Sequence, residues 1–407
     1  MRLWDLYKEK DYHIEPTLDR IQKAVRLVGN PQREFPSILV GGTNGKGSTC
    51  AFLEKILRRH GLKTGWFVSP HLVDERERWR VNGEPIPDET LTSYVRDLSP
   101  ILEKLSLTYF ESATLIALLY FRDMSVDVAV MEVGMGGRWD ATKVSEPQIV
   151  GITNVERDHT RWLGKTVDEI ARDKLHLYVE GKPLILGSAK YPLYWVALDM
   201  GIKNLTVAGE DYTYRSYLSE GRTWLKDYLC ENLRIEGVKL GLLGKWQADN
   251  AAMAITMAHK FLKLNHDRVI KALSETRWEG RMEIVRENPL LVVDGSHNPY
   301  AVGKVVKEAL RLFPHIEILF TGLIGKEWKL SMELIRRYRD SIYLVSVSHY
   351  RGESVENLYK YAKTLKFSKI EVLSSPADVV HIEDNLLAIG SLYLVGEIKE
   401  YFRNRII

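Results

Sequence analysis

A glycine-rich turn between a predicted strand and a predicted helix constrains the fold of this chain more than any other feature. The apolar run SILVGG, which begins at Ser37, leads into the turn GGTNGKGST at residues 41–49, and a helix is predicted from Ser48 to His60. Apolar strand patterns return in TGWFVS, VDVAVMEVG and PQIVGITNV. Alternating strands and helices are typical of βαβ units, so we expect an α/β fold with a mostly parallel sheet.

A second α/β series begins at Leu290. Its predicted strands lie in LLVVDGSHNP, HIEILFTGL, SIYLVSV, KIEVLSS and LLAIGS, with helices between them and at the C-terminus. Because 407 residues exceed what a single hydrophobic core usually supports, we expect two domains. The Asn288-Pro289 break places the boundary there, so residues 1–286 form a P-loop ATPase-type domain and residues 287–407 a smaller, Rossmann-like α/β domain.

A small antiparallel region is predicted within the first domain, at residues 209–239. Short strands rich in Tyr and Trp occur there, and the pairs Glu220-Gly221 and Glu236-Gly237 are interpreted as the turns between them.

Composition narrows the class of protein. A hydrophobic fraction of 45% and a charged fraction of 27% indicate a folded globular chain, and a net charge of +3 without basic tracts does not favour nucleic-acid binding. Cys50 and Cys230 are too few for a disulfide framework or a zinc site. The N-terminus has no apolar run of signal or membrane-spanning length, so we expect a cytoplasmic protein that does not bind membranes, and a monomer.

The turn at 41–49 has the features of a phosphate-binding loop. Glycines allow successive backbone N–H groups to face phosphate oxygens, the helix N-terminus adds partial positive charge, and Lys46 can reach the outer phosphates. A simple connecting turn is the alternative. The spacing also differs from GxxxxGK[ST], since Val40 occupies the first glycine position and Gly47 separates Lys46 from Ser48.

The variant GTNGKGS resembles the loop of the dihydrofolate synthase/folylpolyglutamate synthase family, which is related to the peptidoglycan Mur ligases. Further blocks that resemble this family follow in the family's order: SPHL, ERWRVNG, YFESATLIAL, EVGMGGRWDAT, ITNVERDHTRWLG, IARDKL, LLGKWQADNAAMAI, WEGRMEI, VVDGSHNP and IGSLYLVGEI. The resemblance therefore covers nearly the whole chain. It departs where Lys143 replaces the usual Asn, Ser296 the usual Ala, and Leu175-His176 an alanine-glycine pair.

The resemblance implies an ATP-dependent ligase that forms a carbon–nitrogen bond. A carboxylate would attack the γ-phosphate of ATP to give an acyl phosphate, and the amine of L-glutamate would then displace phosphate. The carboxylate would belong to dihydropteroate, to a reduced folate, or to both in turn. Magnesium, as two ions, is the implied cofactor.

The resemblance also assigns the nucleotide and metal sites. The implied ATP-binding residues are Thr43, Asn44, Gly45, Lys46, Gly47, Ser48, Asn250, Arg281 and Asp294. The implied metal ligands are Ser69, Glu132 and His159, and the implied catalytic residues are Lys46, Lys174 and His297.

Each of these roles has a simpler structural alternative. His159 would be a helix N-cap or a buried imidazole, and Asp294 would cap the helix that starts near Pro299. Lys174, whose counterpart in related ligases is carbamylated and helps to bind a second magnesium, would instead pair with an acidic neighbour on a helix surface.

For the pterin, the resemblance implies a pocket with an aromatic face and a carboxylate. The implied substrate-binding residues are Thr108, Tyr109, Phe110, Glu111, Trp139, Asp140 and Ala141. Phe110 or Trp139 would stack on the ring, and Asp140 would bind its amino-pyrimidine edge. Ordinary core packing is the alternative for Phe110, and surface exposure is the alternative for Tyr109.

Two rival classes remain open. A Mur-type amino-acid ligase carries a nucleotide-sugar domain before its loop, and Thr43 lies too near Met1 for one, so this class is not favoured. A P-loop hydrolase or switch protein would not require the blocks of the second domain, and the chain has no NKxD guanine-reading motif.

Overall fold

The computed structural model describes residues 2–7 and 16–403, which form two compact units. The first unit extends to Tyr217 and also includes Trp224–Gly241 and Trp246–Thr276, whereas the second contains Leu218–Thr223, Leu242–Lys245 and the chain from Arg277 onward. No helix of the described chain is long and apolar enough to cross a membrane.

A mostly parallel sheet forms the centre of the first unit. Its strands are β1 (Ser37–Gly41), β2 (Thr64–Phe67), β3 (Trp79–Val81), β4 (Glu84–Pro85), β5 (Val128–Glu132), β6 (Ile149–Ile152), β7 (Leu184–Leu186) and β8 (Leu205–Val207). Among the described residues the strand order is β4-β3-β2-β5-β1-β6-β7-β8, and the strands from β2 to β8 in that order run parallel. β1 and β5 are fully buried, as expected of strands covered by helices on both faces.

Helices surround this sheet. They are α1 (Asp19–Leu27), α2 (Lys46–Arg59), α3 (Asp88–Lys104), α4 (Tyr109–Asp123), α5 (Thr160–Leu163), α6 (Val167–Leu175), α7 (Leu193–Asp199), α8 (Gln247–Phe261) and α9 (His266–Glu275). β5 and β6 flank β1 and run parallel to it, so the carboxyl ends of these three strands lie at one edge of the sheet. A short loop, residues 42–45, joins β1 to α2, so the N-terminus of α2 lies at the same edge.

The predicted antiparallel region is present, although one of its turns differs. The strands are β9 (Tyr212–Ser219), β10 (Arg222–Cys230) and β11 (Leu233–Lys239), and the first turn is Glu220-Gly221 as predicted. The second turn lies at Glu231-Asn232, so the prediction of a turn at Glu236-Gly237 was wrong. Those two residues lie inside β11, where Glu236 pairs with Asp227 of β10.

The second unit is a smaller α/β sheet. Its elements are β12 (Glu283–Glu287), β13 (Leu290–Val293), α10 (Pro299–Leu312), β14 (Glu317–Phe320), α11 (Trp328–Arg336), β15 (Ser341–Leu344), α12 (Val355–Thr364), β16 (Lys369–Val372), β17 (Leu386–Ile389) and α13 (Leu392–Arg403). The described strands have the order β12-β13-β17-β14-β15-β16 and are parallel except for β12. The predicted α/β fold with two sheets is therefore confirmed.

The division between the units falls earlier than the predicted break at residues 286 and 287. The strand β12 precedes that break but pairs antiparallel with β13, so its backbone hydrogen bonds tie it to the second sheet. The Asn288-Pro289 pair is the tight connection of this hairpin and not a link between domains.

Candidate active site

The loop between β1 and α2 is held by hydrogen bonds from the segment that follows β6. The backbone N–H of Thr43 donates to the carbonyl oxygen of Asn154 at 2.9 Å, and that of Asn44 donates to Asn154 Oδ1 at 3.0 Å. Asn154 Nδ2 in turn donates to the carbonyl oxygen of Asn44 at 2.9 Å. Asn154 therefore fixes the first half of the loop. The local sequence around Asn154 carries no signal for this role, because the contact joins residues far apart in the chain.

Gly45 and Asn250 show why the second half of the loop needs glycine. Gly45 has a φ of 88°, and a Cβ added there would lie 2.4 Å from Asn250 Oδ1. The Asn250 amide is buried in α8, where it accepts from Thr49 Oγ1 at 3.5 Å and donates to Gln247 Oε1 at 2.9 Å. The structure thus places Asn250 against the loop itself.

Two lysines meet at this loop. Lys46 Nζ donates to the carbonyl oxygens of Gly42 at 3.2 Å and Thr43 at 3.4 Å, and Lys174 Nζ donates to the same Gly42 oxygen at 3.1 Å. Lys174 is only 4% exposed, so the interpretation of it as a surface ion pair was wrong. Burial, together with the positive charge of Lys46, lowers the pKa of Lys174 to about 7.

The predicted metal ligands lie along the same edge of the sheet. Glu132, at the end of β5, is 4% exposed, and its Oε2 accepts from the backbone N–H of Ser69 at 3.3 Å. His159 occupies the N-cap position of α5 without a side-chain cap hydrogen bond, and 36% of its side chain is exposed, so the alternative of a buried imidazole was wrong. Its Nε2 lies 3.9 Å from Asp158 Oδ2.

The donor set fits a hard cation that also binds phosphate. Within the described chain, no group of three or more His, Cys, Asp or Glu side chains is arranged to hold a metal ion. One buried carboxylate with a neighbouring serine suits Mg²⁺, which usually binds proteins through one or two carboxylates and takes its other ligands from phosphates and water.

Three residues assigned to the pterin have clear structural roles. Thr108 Oγ1 accepts from the backbone N–H of Glu111 at 3.3 Å, and Glu111 Oε2 accepts from that of Thr108 at 2.8 Å, which makes a capping box for α4. Glu111 also pairs with Arg20 at 3.2 Å. Tyr109 is 8% exposed and packs edge-on against Trp4 and Tyr7, so the surface alternative for it was wrong.

Phe110 belongs to a different environment. Its half-buried ring packs against Phe67 at a centroid distance of 5.8 Å, and a Cβ at Gly134 would lie 2.6 Å from its Cζ. The ring therefore lies directly on the loop that follows β5, and this loop also carries Trp139 and Asp140.

Trp139 and Asp140 differ sharply in exposure. Trp139 is 46% exposed and lies beside the Arg138 guanidinium, whose Cζ is 5.0 Å from the ring. Asp140 is 5% exposed, accepts from the backbone N–H groups of Met135 and Thr142 at 3.0 Å, and caps the short 3-10 helix of residues 141–145, which buries Ala141. Burial raises the pKa of Asp140. The structure thus gives this carboxylate a role in shaping the loop.

In the second unit, Asp294 is the centre of a polar cluster at the end of β13. It is 2% exposed and accepts from the backbone N–H groups of Met282 and Ser296, each at 2.9 Å. It does not cap α10, because Asn298 does so by accepting from the backbone N–H of Ala301 at 2.9 Å. The helix-cap alternative for Asp294 was therefore wrong.

Arg281 and His297 lie next to this cluster. Arg281 Nη1 donates to the carbonyl oxygen of Gly280 at 3.1 Å, and His297 Nδ1 lies 3.0 Å from that of Gly295. Burial raises the pKa of Asp294, and the charge of Arg281 opposes that shift. Arg281, Asp294 and His297 thus lie in the second unit, and the other sequence-predicted site residues lie in the first.

Comparison with known proteins assigns the family. The family model for the Mur ligase middle domain matches residues 40–258. The chain is 29% identical to the dihydrofolate synthase/folylpolyglutamate synthase of Bacillus subtilis, over 98% of this chain and 97% of that protein. It is 30% identical to the protein of the same name from Escherichia coli, over 95% of this chain and 91% of that protein.

Solved structures agree with the sequence comparison. Escherichia coli FolC in complex with DHPP and ADP superimposes with a TM-score of 0.87 and 27% identity, over 100% of this chain and 99% of that chain. The bifunctional folylpolyglutamate synthase/dihydrofolate synthase of Yersinia pestis, complexed with AMPPNP and Mn ion, gives a TM-score of 0.87 and 26% identity, over 99% and 98% of the two chains. The chain therefore belongs to the dihydrofolate synthase/folylpolyglutamate synthase family and contains a Mur ligase middle domain.

Proposed function

We propose that this protein is an ATP-dependent ligase that joins the amino group of L-glutamate to the carboxylate of dihydropteroate, to the γ-carboxylate of a reduced folate, or to both. The observation that carries the proposal is the similarity to ligases along nearly the whole chain, which includes both units. A nucleotide-dependent switch would need the phosphate loop but not the rest. The family membership thus favours bond formation over simple hydrolysis.

The first step activates the carboxylate. A carboxylate oxygen attacks the γ-phosphorus of ATP, the bond to the bridging oxygen breaks, and an acyl phosphate and ADP result. The loop N–H groups and Lys46 would stabilise the transferred phosphoryl group. In support, Lys46 Nζ already contacts the loop at the carbonyl oxygens of Gly42 and Thr43, and phosphate oxygens can replace these acceptors.

A divalent cation held by Glu132 and Ser69, with His159 as a further ligand, would neutralise charge on the phosphates. The contact between Ser69 and the buried Glu132 carboxylate supports this ligand set, as does the manganese ion named with the Yersinia pestis protein. Removal of divalent metal by a chelator should abolish turnover, and Mg²⁺ should restore it. Glu132→Gln should require more Mg²⁺ for half-maximal rate.

Lys174 is proposed to carry a carbamate that helps to bind a second magnesium ion. The lowered pKa of Lys174 favours the neutral amine, which is the form that attacks carbon dioxide. The new bond joins Nζ to the carbon of carbon dioxide, and the nitrogen loses one proton to solvent. Isotope-labelled bicarbonate should give a carbamate signal in the wild type and none in Lys174→Met.

The second step forms the amide. The glutamate amine attacks the acyl carbon, phosphate leaves with the electrons of its bond to that carbon, and the nitrogen loses a proton. In the second unit we propose that Arg281 and Asp294 bind nucleotide and that His297 assists catalysis; the pairing of charge between Arg281 and Asp294 supports their acting together. Phe110 and Trp139 are proposed to contact the pterin ring.

The dependence of ADP release on glutamate and on the acid substrate tests this function. ADP release should require glutamate together with dihydropteroate or tetrahydrofolate. When the acid is labelled with heavy oxygen in its carboxylate, one labelled atom should appear in the released phosphate, because the acyl phosphate transfers that atom. ADP release at the same rate without either acid would contradict the proposal and favour a hydrolase.

A further inference from the structure

The loop of residues 134–143 joins the surroundings of Phe110 to those of the phosphate loop. Phe110 packs on Gly134 at one end of it. Further along, a Cβ at Gly137 would lie 2.7 Å from the carbonyl oxygen of Lys174, whose amine reaches Gly42 of the phosphate loop. An extended ligand with its ring at Phe110 and a carboxylate at the phosphate loop would therefore run along this segment.

Two cationic side chains, Arg138 and Lys143, lie on this loop. Two backbone hydrogen bonds fold the segment into successive turns. The N–H of Asp140 donates to the carbonyl oxygen of Gly137 at 3.4 Å, and the N–H of Lys143 donates to that of Asp140 at 3.1 Å. Arg138 and Lys143 are thereby close enough that Arg138 lowers the pKa of half-buried Lys143, although burial is the larger cause. Within the described residues, neither side chain makes an ion pair or a side-chain hydrogen bond.

Asp173 is the acidic residue whose charge offsets part of this repulsion. Its carboxyl group packs against the start of this loop, since a Cβ added at Gly136 would lie 2.5 Å from Asp173 Oδ2, and that oxygen is buried without a hydrogen-bond partner among the described residues. Asp173 raises the pKa of Lys143 less than Arg138 lowers it. Adjacent like charges repel each other, and an anionic ligand would relieve that repulsion.

We propose that Lys143, together with Arg138, binds the α-carboxylate of the terminal glutamate on a glutamylated folate. This inference rests on the proposed function. A folate has two carboxylates on its terminal glutamate, and when the γ-carboxylate is at the phosphate loop the α-carboxylate lies a few bonds away. Dihydropteroate has no second carboxylate, so Lys143 would select for folates that already carry glutamate.

Binding of two ligands that differ only in glutamate tests this role. Tetrahydrofolate and tetrahydropteroate would be titrated calorimetrically into the wild type, Lys143→Asn, Lys143→Arg and the control Lys226→Asn, which makes the same change at an exposed lysine of β10. For Lys143→Asn the Kd of tetrahydrofolate should rise on the order of threefold to tenfold, between the strength of an exposed ion pair and that of a charge-assisted hydrogen bond. Arginine should restore binding, and the Kd of tetrahydropteroate should stay the same.

The other outcomes contradict the role of Lys143. Equal weakening of both ligands would make it a structural residue. A raised KM for free glutamate with unchanged folate binding would assign it to the incoming amino acid instead. Failure of the proposed function is separate from these results, since the wild type would then add no glutamyl unit to either acid even where tetrahydrofolate binds.

Discussion

The phosphate loop and the loop of residues 134–143 lie in the same unit but are built in opposite ways. The phosphate loop is held by fixed side chains: the half-buried Asn154 amide and the buried Lys174 amine hydrogen-bond to its backbone, and the buried Asn250 amide packs against Gly45. The second loop has a buried frame around Asp140 but presents the exposed Trp139 and Arg138. The difference suggests that phosphoryl transfer requires one fixed geometry, whereas acid recognition depends on side chains that can vary.

Loss of the loop lysine should give the largest effect. Lys46→Met should lower kcat by about a thousandfold, or about 4 kcal/mol, because Lys46 is the loop's own side chain proposed to stabilise charge on the transferred phosphoryl group. Steady-state ADP release measures it. Lys55→Met on the same helix, where Lys55 pairs with Glu275 at 3.6 Å, is the matched control and should keep kcat within about twofold. A similar loss in both variants would mean that the helix is perturbed.

The buried Lys174 should make stability depend on pH. Its pKa falls from 10.5 to about 7 on folding, so between these pH values the unfolded chain binds more protons and folding becomes more favourable as pH rises. The free energy of unfolding of the wild type minus that of Lys174→Met should therefore increase above about pH 7, by at most about 1.4 kcal/mol per pH unit. Denaturant titrations in buffers purged of carbon dioxide measure this difference. A difference that stays constant through this window would contradict the assignment.

Loss of the Asn154 side chain should loosen the phosphate loop without removing any charge. Asn154→Ala deletes both side-chain hydrogen bonds to Asn44, so the KM for ATP should rise about tenfold while the fold persists. Asn204→Ala is a suitable control, because that amide donates to the carbonyl oxygen of Gly181 at 3.4 Å on the protein surface. If both variants keep the wild-type KM, the loop does not depend on Asn154.

The smallest effect is expected at Thr108, one of the residues assigned to the pterin. If Thr108 acts chiefly as the cap of α4, Thr108→Ala should reduce stability by about 1 kcal/mol and leave the KM for dihydropteroate unchanged, and Thr108→Ser should restore stability. Thermal unfolding and steady-state kinetics measure the two quantities. A raised KM at unchanged stability would instead favour a direct contact between Thr108 and the pterin.

The fold could be predicted from local patterns. Apolar strands, helical periodicity and the glycine turn predict two α/β units and the phosphate loop, because these signals depend on residues that are neighbours in the chain. The strand β12 was missed since its sequence is half polar and its pairing with β13 places it at an edge of the sheet. The turn at Glu231-Asn232 was missed because Glu236-Gly237 is the stronger turn signal.

The candidate site could be predicted only in part. Residue types and family blocks indicate Lys46 at the start of α2, Glu132 at the carboxyl end of β5 and Asp294 directly after β13. The hydrogen bond from buried Lys174 to Gly42 and the hydrogen bond between Asn44 and Asn154 each join segments that are distant in the chain. Nothing in the local sequence distinguishes a buried lysine near the end of α6 from an exposed one.

Product mass tests the central claim most directly. The wild type would be incubated with ATP, Mg²⁺ and L-glutamate, with dihydropteroate in one reaction and tetrahydrofolate in another. We predict that at least one acid gains the mass of one glutamyl unit for each ADP released. ATP consumption with neither acid gaining mass would contradict the account.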